Sequence, residues 1–207
     1  MIAVIDYKAG NLRSVQRALE KIEVDCCITS DVEVIRNADR VIFPGVGAAG
    51  AAMKGLKNSP LGDVLKECIQ NGKPVLGICL GTQIIMDSSE EDGGVDCLGI
   101  IKGATVRFEF EDTRVTVPQM GWNQVDFSQD HPVFKGISPG TNFYFVHSYY
   151  PSPLDPNVVL STTDYAGRVF TSSITMGNLV ATQFHPEKSG RHGLELLKNF
   201  SEWDGRL

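Results

Sequence analysis

The fold class of this chain is indicated most clearly by two segments, Val41-Ile-Phe-Pro-Gly45 and Pro74-Val-Leu-Gly-Ile78. Each is a short, nearly continuous apolar run with proline and glycine beside it, a pattern typical of strands that are buried on both faces of a sheet. Residues 48–56 and 61–70 lie between them and repeat apolar side chains at helical spacing. A strand, two helices and a second strand are therefore expected to follow one another in this part of the chain.

The same alternation begins near Met1. Ile2–Ile5 is another apolar run, and Asn11 is placed to cap a helix whose apolar positions recur at i, i+3 and i+7 from Leu12. A further apolar run, residues 24–29, follows that helix. Strands that alternate with helices predict an α/β fold with an open, mostly parallel sheet and helices on both of its faces.

The second half of the chain has a different pattern. Short segments with strand-like or alternating polarity and turn residues occupy residues 98–127, 142–150, 158–160, 169–174 and 179–184. Spacing of this kind predicts antiparallel strands that extend or cover the sheet, and a final helix carries Leu194 and Leu197 on one face. The sequence contains no internal repeat or linker, so residues 1–207 are expected to form one domain.

Composition argues against several classes of function. The chain has 207 residues and a formal net charge of -6, which disfavours a nucleic-acid-binding protein held by phosphate contacts. The charge-free apolar run at residues 41–53 is too short to span a bilayer, and the first residues lack the basic region of a signal peptide. Five cysteines, an odd number, favour reduced thiols over a disulfide framework. We therefore expect a cytoplasmic protein that binds neither nucleic acid nor a membrane.

Residues 45–50 read Gly-Val-Gly-Ala-Ala-Gly and match the G-x-G-x-x-G pattern of dinucleotide-binding loops. That fingerprint expects an acidic residue about 20 positions on, at the end of the next strand, whereas the next strand here ends in Gly77-Ile-Cys79. Nucleotide binding is therefore the less favoured interpretation. The favoured one is that the glycines leave backbone N–H groups free to hold an anion or an oxyanion.

Cys79 lies between Gly77 and Gly81, a spacing that permits the sharp strand-to-helix turn called a nucleophile elbow. Such a turn lifts the side chain above the carboxyl edge of the sheet and places the thiol at a helix N-terminus, where the thiolate is favoured. The N–H of Leu80 then becomes a natural oxyanion donor. The alternative is a buried structural cysteine, which fits the cysteines without such flanking glycines: Cys26, Cys27, Cys68 and Cys97.

A catalytic cysteine needs a base that a third group orients. His185 ends an apolar strand and is followed by Pro186 and Glu187. In an extended segment the side chains of residues i and i+2 lie on the same side, so Glu187 would hold the imidazole. The other histidines fit other roles: the surface for His131 and His192, and packing for His147. No spacing typical of a zinc site is present, so neither a metal nor a cofactor is expected.

Two motifs indicate the family that this chain resembles. Gly77-Ile-Cys79-Leu-Gly81-Thr-Gln83 and Gln183-Phe-His185-Pro-Glu187 are similar to the signature of the class I glutamine amidotransferases. Further stretches resemble the members of that family that serve imidazole glycerol phosphate synthase: residues 6–14, 44–47, 118–123, 144–149 and 188–190. Together they cover almost the whole chain, and they imply the flavodoxin-like fold of that family.

The resemblance implies hydrolysis of glutamine to glutamate and ammonia. Cys79 would attack the side-chain amide, His185 would take the thiol proton and later protonate the departing ammonia, and Glu187 would orient His185. An oxyanion hole would be formed by the N–H groups of Val46 and Leu80. The residues implied to bind the substrate are Gly47, Gln83, Ser148 and Tyr149. Ordinary helix or strand packing is an open alternative for the last three.

The resemblance also implies a partner that receives the ammonia. That partner would be a (β/α)8-barrel cyclase subunit, bound as a heterodimer, that makes imidazole glycerol phosphate and an aminoimidazole carboxamide ribonucleotide in histidine biosynthesis. The residues implied at the interface are Asn11, Met120, Trp122, Tyr144 and Lys188. Core packing is the alternative for Trp122. Other open functions are amidotransfer in anthranilate, guanine nucleotide or pyridoxal phosphate synthesis, and a stand-alone cysteine hydrolase of γ-glutamyl substrates.

Overall fold

The computed structural model describes residues 1–8 and 10–206. The α-helices in this part of the chain are α1 (Leu12–Lys21), α2 (Val32–Asn37), α3 (Ala49–Lys57), α4 (Leu61–Gln70), α5 (Leu80–Ile84) and α6 (Gly190–Glu202). Among the described residues no helix has both the length and the apolar character needed to cross a bilayer.

The strands form two sheets. The strands of the first half are β1 (Ile2–Ile5), β2 (Cys26–Thr29), β3 (Arg40–Gly45), β4 (Val75–Cys79), β5 (Met86–Ser89) and β6 (Val95–Asp96). Those of the second half are β7 (Ile101–Arg107), β8 (Gln119–Phe127), β9 (Thr141–His147), β10 (Tyr149–Pro153), β11 (Val159–Tyr165), β12 (Arg168–Met176) and β13 (Leu179–Thr182). A nine-stranded sheet has the order β2-β1-β3-β4-β13-β12-β11-β8-β9, and a four-stranded sheet has the order β10-β7-β5-β6.

The large sheet changes character at β13, as the two halves of the sequence predict. Strands β2, β1, β3, β4 and β13 pair in parallel, whereas β13, β12, β11, β8 and β9 pair antiparallel. The prediction of an α/β fold with a parallel sheet, flanking helices and added antiparallel strands is confirmed. Because β3, β4 and β13 are parallel neighbours, their carboxyl ends meet at one edge, where ligands bind in such sheets.

Helices cover both faces of the parallel strands, which explains why β1 is apolar at every position. In β1, Ala3 and Ile5 pack in a core with residues of α2, α3 and α4. Ile2 and Val4 face the opposite way and pack in a second core with residues of α1 and α6. Successive side chains of a strand alternate between the two faces, so a strand between two helical layers is apolar throughout.

Two local details differ from the sequence-based expectation. Helix α2 was not predicted, although Asp31 marks its start, where one carboxylate oxygen accepts hydrogen bonds from the N–H groups of Glu33 (2.8 Å) and Val34 (3.3 Å). Asn11 does occupy the N-cap position of α1, but its side chain makes no capping hydrogen bond. Its backbone conformation, φ -87° and ψ 63°, is outside the extended region that capping residues usually adopt.

Candidate active site

The chain makes a sharp turn between β4 and α5, and Cys79 lies at its corner. Cys79 has φ 54° and ψ -107°, a conformation that residues other than glycine rarely adopt and that is typical of functional sites. Gly81 is needed two residues later, because a Cβ atom there would collide with the carbonyl oxygen of Phe43 in β3. The glycine spacing around Cys79 therefore does produce the elbow geometry that it predicts.

The loop after β3 lies beside this elbow. Gly45, the last residue of β3, pairs with Cys79, and a Cβ atom at Gly45 would collide with the hydroxyl of Tyr7 and lie 2.9 Å from the Cβ of Leu80. Gly47 has φ 96°, which favours glycine. The backbone of residues 45–47 thus needs a glycine at position 45 for close packing beside the elbow and a glycine at position 47 for its positive φ.

His185 and Glu187 form a buried pair directly after β13. Nδ1 of His185 lies 2.8 Å from Oε1 of Glu187, and their side chains are only 2% and 3% exposed. Residues Pro186–Lys188 form a turn of 3-10 helix, so the expectation that Glu187 reaches the imidazole along an extended segment is wrong, although the contact itself is present. With Nδ1 turned to the carboxylate, Nε2 of His185 is buried and has no hydrogen-bond partner among the described residues.

The protonation of His185 depends on two opposing effects. Burial lowers the pKa of His185, but the charges of Cys79 and Glu187 raise it, and the net result is a raised pKa. An imidazolium is thus stabilised when the neighbouring thiol is ionised, since opposite charges favour each other's charged forms. The arrangement suits a group that accepts a proton from a thiol and later returns one.

A cavity of about 280 Å³ opens above the elbow. Cys79 and His185 line it together with every residue that the sequence implied for the oxyanion hole and the substrate: Val46, Gly47, Leu80, Gln83, Ser148 and Tyr149. These positions come from four separate parts of the sequence, so the fold brings them together at the carboxyl edge of the parallel strands. A volume of this size matches the lower end of ordinary small-molecule sites.

A chain of side-chain amides leads from this cavity to the thiol. Nε2 of Gln83 donates hydrogen bonds to the carbonyl of Tyr149 (2.8 Å) and to Oε1 of Gln183 (3.1 Å), and Nε2 of Gln183 lies 3.7 Å from the sulfur of Cys79. Gln183 belongs to one of the two sequence motifs, but the motif alone indicates no role for it. Its contact with Cys79 joins residues 104 positions apart, which no local pattern could reveal.

The G-x-G-x-x-G segment meets carboxylates of its own chain. The N–H of Ala49 donates to Oε2 of Glu91 (2.7 Å), and the N–H of Gly50 donates to Oδ2 of Asp92 (3.2 Å). These amides at the start of α3 are those that a pyrophosphate would use, so the structure disfavours dinucleotide binding there. Glu91 also lines the cavity of Cys79, and its burial raises its pKa despite the Ala49 hydrogen bond. Sequence reasoning missed this carboxylate.

The surroundings of the other histidines agree only in part with those that the sequence predicts. His131 was expected at the surface, but it is 6% exposed. Its Nδ1 accepts from the N–H of Val133 (3.2 Å) and its ring packs on Trp203, and burial lowers its pKa to about 4. It lines a larger cavity of about 900 Å³ along residues 127–139, which contains none of the predicted site residues.

His147 is buried, and its Nδ1 donates to the carbonyl of Tyr149 (2.7 Å).

The residues implied at a partner interface differ in exposure: Met120 and Trp122 are exposed, whereas Tyr144 and Lys188 are half-buried. Met120 is 66% and Trp122 58% exposed, which excludes core packing for Trp122. The Trp122 ring lies 6.2 Å from that of Tyr144, and Nζ of Lys188 lies 5.9 Å from the centre of the Tyr144 ring. Asn11 is exposed at the start of α1. Within residues 1–8 and 10–206, no group of three or more His, Cys, Asp or Glu side chains is arranged to hold a metal ion.

Solved structures share this fold. A structure described as a glutamine amidotransferase superposes with a TM-score of 0.76 at 17% identity and covers 99% of this chain and 100% of its own. A structure of PurLQS from Thermotoga maritima superposes with a TM-score of 0.69 at 17% identity, over 96% of this chain and 96% of its own. At such identities the likeness concerns the fold alone.

Sequence relatives are far closer. The imidazole glycerol phosphate synthase subunit HisH of Maridesulfovibrio salexigens is 50% identical over 98% of this chain and 97% of its own length. The subunit of the same name from Dehalococcoides mccartyi is 48% identical over 97% of this chain and 96% of its own. The family model for "Glutamine amidotransferase class-I" matches residues 3–203. The chain therefore belongs to the class I glutamine amidotransferase family, and within it to the HisH subunits.

Proposed function

We propose that this chain is the glutaminase subunit of an imidazole glycerol phosphate synthase. It hydrolyses glutamine to glutamate and ammonia and delivers the ammonia to a (β/α)8-barrel cyclase subunit in histidine biosynthesis. The observation that carries the proposal is the meeting of the Cys79 elbow and the His185–Glu187 pair at one cavity, in a chain that is 50% identical to a HisH subunit. The free thiols of the cysteines support a cytoplasmic location.

The first chemical step is attack of the Cys79 sulfur on the amide carbon of glutamine. His185 takes the thiol proton at Nε2, and Glu187 stabilises the resulting imidazolium through Nδ1. The carbon–sulfur bond forms, and the carbonyl electrons move to the oxygen. When this tetrahedral intermediate collapses, the carbon–nitrogen bond breaks, and the nitrogen leaves as ammonia with the proton from His185. A thioester of glutamate remains on Cys79.

Water completes the reaction. His185, now neutral, removes a proton from a water molecule, which attacks the thioester carbon. The carbon–sulfur bond then breaks, glutamate leaves, and His185 returns the proton to the sulfur of Cys79. Both tetrahedral intermediates carry a negative oxygen that needs two donors. The N–H of Leu80 follows the nucleophile directly, and the N–H of Val46 belongs to the loop that is packed against it. We assign the oxyanion hole to these two amides.

The cavity also offers groups that recognise an amino acid. Gly47, Ser148 and Tyr149 line its wall, and Gln83 has its amide fixed by two hydrogen bonds. To these residues we add Glu91, a carboxylate in the same cavity. The α-ammonium group of glutamine carries a positive charge and is the natural partner of such a carboxylate.

The proposed contact surface for the cyclase consists of Met120, Trp122, Tyr144 and Lys188. Met120 and Trp122 expose large apolar side chains, and Tyr144 and Lys188 adjoin them. Aromatic residues and methionine at the surface are typical of the centres of protein–protein interfaces. Asn11, which is exposed at the start of α1, is assigned to the edge of the same heterodimer interface.

The proposal is tested by measuring glutamine hydrolysis by the purified chain alone, with a candidate cyclase, and with the cyclase plus its nucleotide ligand. We expect slow hydrolysis by the chain alone and an increase of about a hundredfold or more in the complete mixture, because binding of a partner and its ligand can close the site and complete the catalytic geometry. The control is Trp122→Ala, which should weaken the response to the cyclase and leave the basal rate unchanged.

The alternative activities predict other results. Full activity of the isolated chain, with no response to the cyclase, would support a stand-alone γ-glutamyl hydrolase instead. An increase only with a partner from anthranilate, guanine nucleotide or pyridoxal phosphate synthesis would support a different amidotransferase. Identities of 48% and 50% to HisH subunits favour the cyclase as the first partner to try.

A further inference from the structure

Gln183 is a polar side chain in a place where polar groups are costly. It is fully buried, at 0% exposure, and directly follows β13, where its N–H donates to the carbonyl of Ser172 (2.9 Å). The hydroxyl of Thr82 in α5 donates to the carbonyl of Thr182 (2.7 Å) and ties the helix after the elbow to this strand. An amide buried this deeply is tolerated only when its hydrogen bonds are made.

The direction of the Gln183 amide is fixed by its neighbours. The carbonyl oxygen of Tyr149 accepts hydrogen bonds and never donates them, so the group of Gln83 that faces it at 2.8 Å is Nε2. The same Nε2 lies 3.1 Å from Gln183, which must therefore present its oxygen. Nε2 of Gln183 is then the end that faces the sulfur of Cys79, at 3.7 Å.

We propose that Gln183 is a further catalytic residue, whose Nε2–H donates a hydrogen bond to the sulfur of Cys79 and stabilises the thiolate before it attacks. A hydrogen bond to an ionised acceptor is about twice as strong as one between neutral groups, so this donor favours the thiolate over the thiol. The inference rests on the proposed function, because it concerns the same nucleophile.

The second neighbour of the Cys79 sulfur, the carbonyl oxygen of Val146, favours the thiol and not the thiolate. The carbonyl oxygen of Val146 lies 4.0 Å from the sulfur, and a carbonyl can interact favourably only with the protonated thiol. The titratable groups whose charges interact with Cys79 are His185, which follows β13, and Tyr7, which follows β1. Gln183 is thus the uncharged donor that opposes the carbonyl of Val146, and it keeps this role at every pH.

The position of Gln183 also connects the thiolate to substrate binding. The hydrogen bonds run from the Tyr149 carbonyl through Gln83 and Gln183 to Cys79, and both Tyr149 and Gln83 line the cavity. A glutamine molecule that fills this cavity contacts the outer end of the amide chain. The donor that faces the sulfur is therefore held in place by the same residues that are proposed to bind the substrate.

The test measures the rate at which iodoacetamide alkylates Cys79 as a function of pH, followed by mass spectrometry of the peptide that contains it. Gln183→Met keeps most of the volume and removes the donor, and we expect the midpoint of the pH profile to rise by about one unit. Gln183→Glu keeps the acceptor for Gln83 but replaces the donor by a negative charge, and the midpoint should rise further. In both variants kcat for glutamine should fall about tenfold, with a change in KM of less than about threefold.

Ser172→Ala provides the matched control. Ser172 in β12 is as deeply buried as Gln183, and its hydroxyl bonds to that of Ser161 (2.9 Å) in β11 and not to the sulfur of Cys79. This variant should keep the wild-type midpoint. If Gln183→Met fails to fold by circular dichroism, Gln183→Glu decides the question.

Folded Gln183 variants with the wild-type alkylation profile would overturn the proposal. Alkylation does not require glutamine turnover, so it separates the two proposals. If the Gln183 variants shift the alkylation profile but the wild-type chain hydrolyses no glutamine with any partner, the proposed function is overturned and the role of Gln183 in thiolate formation stands.

Discussion

The two glycine-rich turns of this chain, residues 45–50 and residues 77–81, begin from neighbouring parallel strands and border one cavity, but the helices that follow them have different groups at their N-termini. Gly45 at the end of β3 pairs with Cys79 at the end of β4, and each strand leads into a helix. At the first turn the N-terminus of α3 is occupied by the carboxylates of Glu91 and Asp92. At the second turn the chain takes an unfavourable φ of 54° to present a thiol.

Glycine spacing therefore defines a turn and not its ligand. Both turns place backbone N–H groups at the carboxyl edge of the sheet, but residues from elsewhere in the chain decide what those groups bind. The turns also depend on each other, because Gly81 packs against the carbonyl of Phe43 and Gly45 packs against Leu80. A substitution in one turn should therefore affect the other.

Cys79→Ala gives the largest expected effect, and it separates the roles of the two turns. Glutamine hydrolysis should fall by about a thousandfold or more, because the reaction loses its nucleophile while the oxyanion donors stay in place. The complex with a cyclase should keep its synthesis from added ammonium salt, since that reaction bypasses the thioester. Both rates are measured on the same purified complex.

The control for this experiment is Cys68→Ala, which removes another buried thiol, in α4. It should retain the wild-type rate of glutamine hydrolysis. Residual hydrolysis of more than a few per cent in Cys79→Ala would show that another residue supplies the nucleophile.

Gly45→Ala tests whether the turns are packed against each other. The new Cβ atom would collide with the hydroxyl of Tyr7 and approach the Cβ of Leu80 at 2.9 Å, and overpacking of this kind costs about 1–3 kcal/mol. We expect a matching loss in the free energy of unfolding, measured with urea. Glutamine hydrolysis should also fall, because the displaced loop adjoins Cys79.

Tyr7→Phe is the matched partner for this substitution. Among the described residues the buried Tyr7 hydroxyl has no hydrogen-bond partner, so its removal alone should leave stability unchanged or slightly increased. In the double variant the hydroxyl that meets the new Cβ is gone, and about half of the lost stability should return. Strict additivity of the two single effects in this double-mutant cycle would argue against the contact.

The sequence predicts the parts of this molecule that depend on near neighbours along the chain. The apolar run at Ile2–Ile5 becomes β1 because it lies between two helical layers, and the glycines around Cys79 produce the turn because its geometry is local. The contact of His185 with Glu187 also follows from adjacency, although the turn that makes it is 3-10 helix.

What the sequence misses depends on contacts between distant residues. His131 is followed by a proline, a typical surface turn, yet Trp203 from the end of the chain packs on its ring. Glu91 reaches the N–H of Ala49 across 42 positions. Neither pairing leaves a periodic pattern, because the residues meet only after the sheet and α6 are assembled.

Glu91→Gln is expected to have the smallest effect. It tests whether the carboxylate bound to the first turn contributes to substrate binding. The amide oxygen of glutamine can still accept from the N–H of Ala49, so α3 stays anchored, but the negative charge beside the cavity is lost. We expect KM for glutamine to rise about tenfold with little change in kcat, since one charge-assisted hydrogen bond to the substrate is removed. Asp92→Asn is the control, because Asp92 bonds the next amide of α3 but is exposed and does not line the cavity.

The stability of the same variant gives an independent check of the burial of Glu91. Burial raises the pKa of Glu91 in the folded protein, so the folded state binds this proton more tightly than the unfolded chain does. Stability then decreases as the pH rises from the unfolded pKa of about 4.3 through the higher folded value, and Glu91→Gln should remove that decrease. An unchanged KM together with an unchanged pH dependence would assign Glu91 only to the capping of α3 and leave the substrate's ammonium group to other residues.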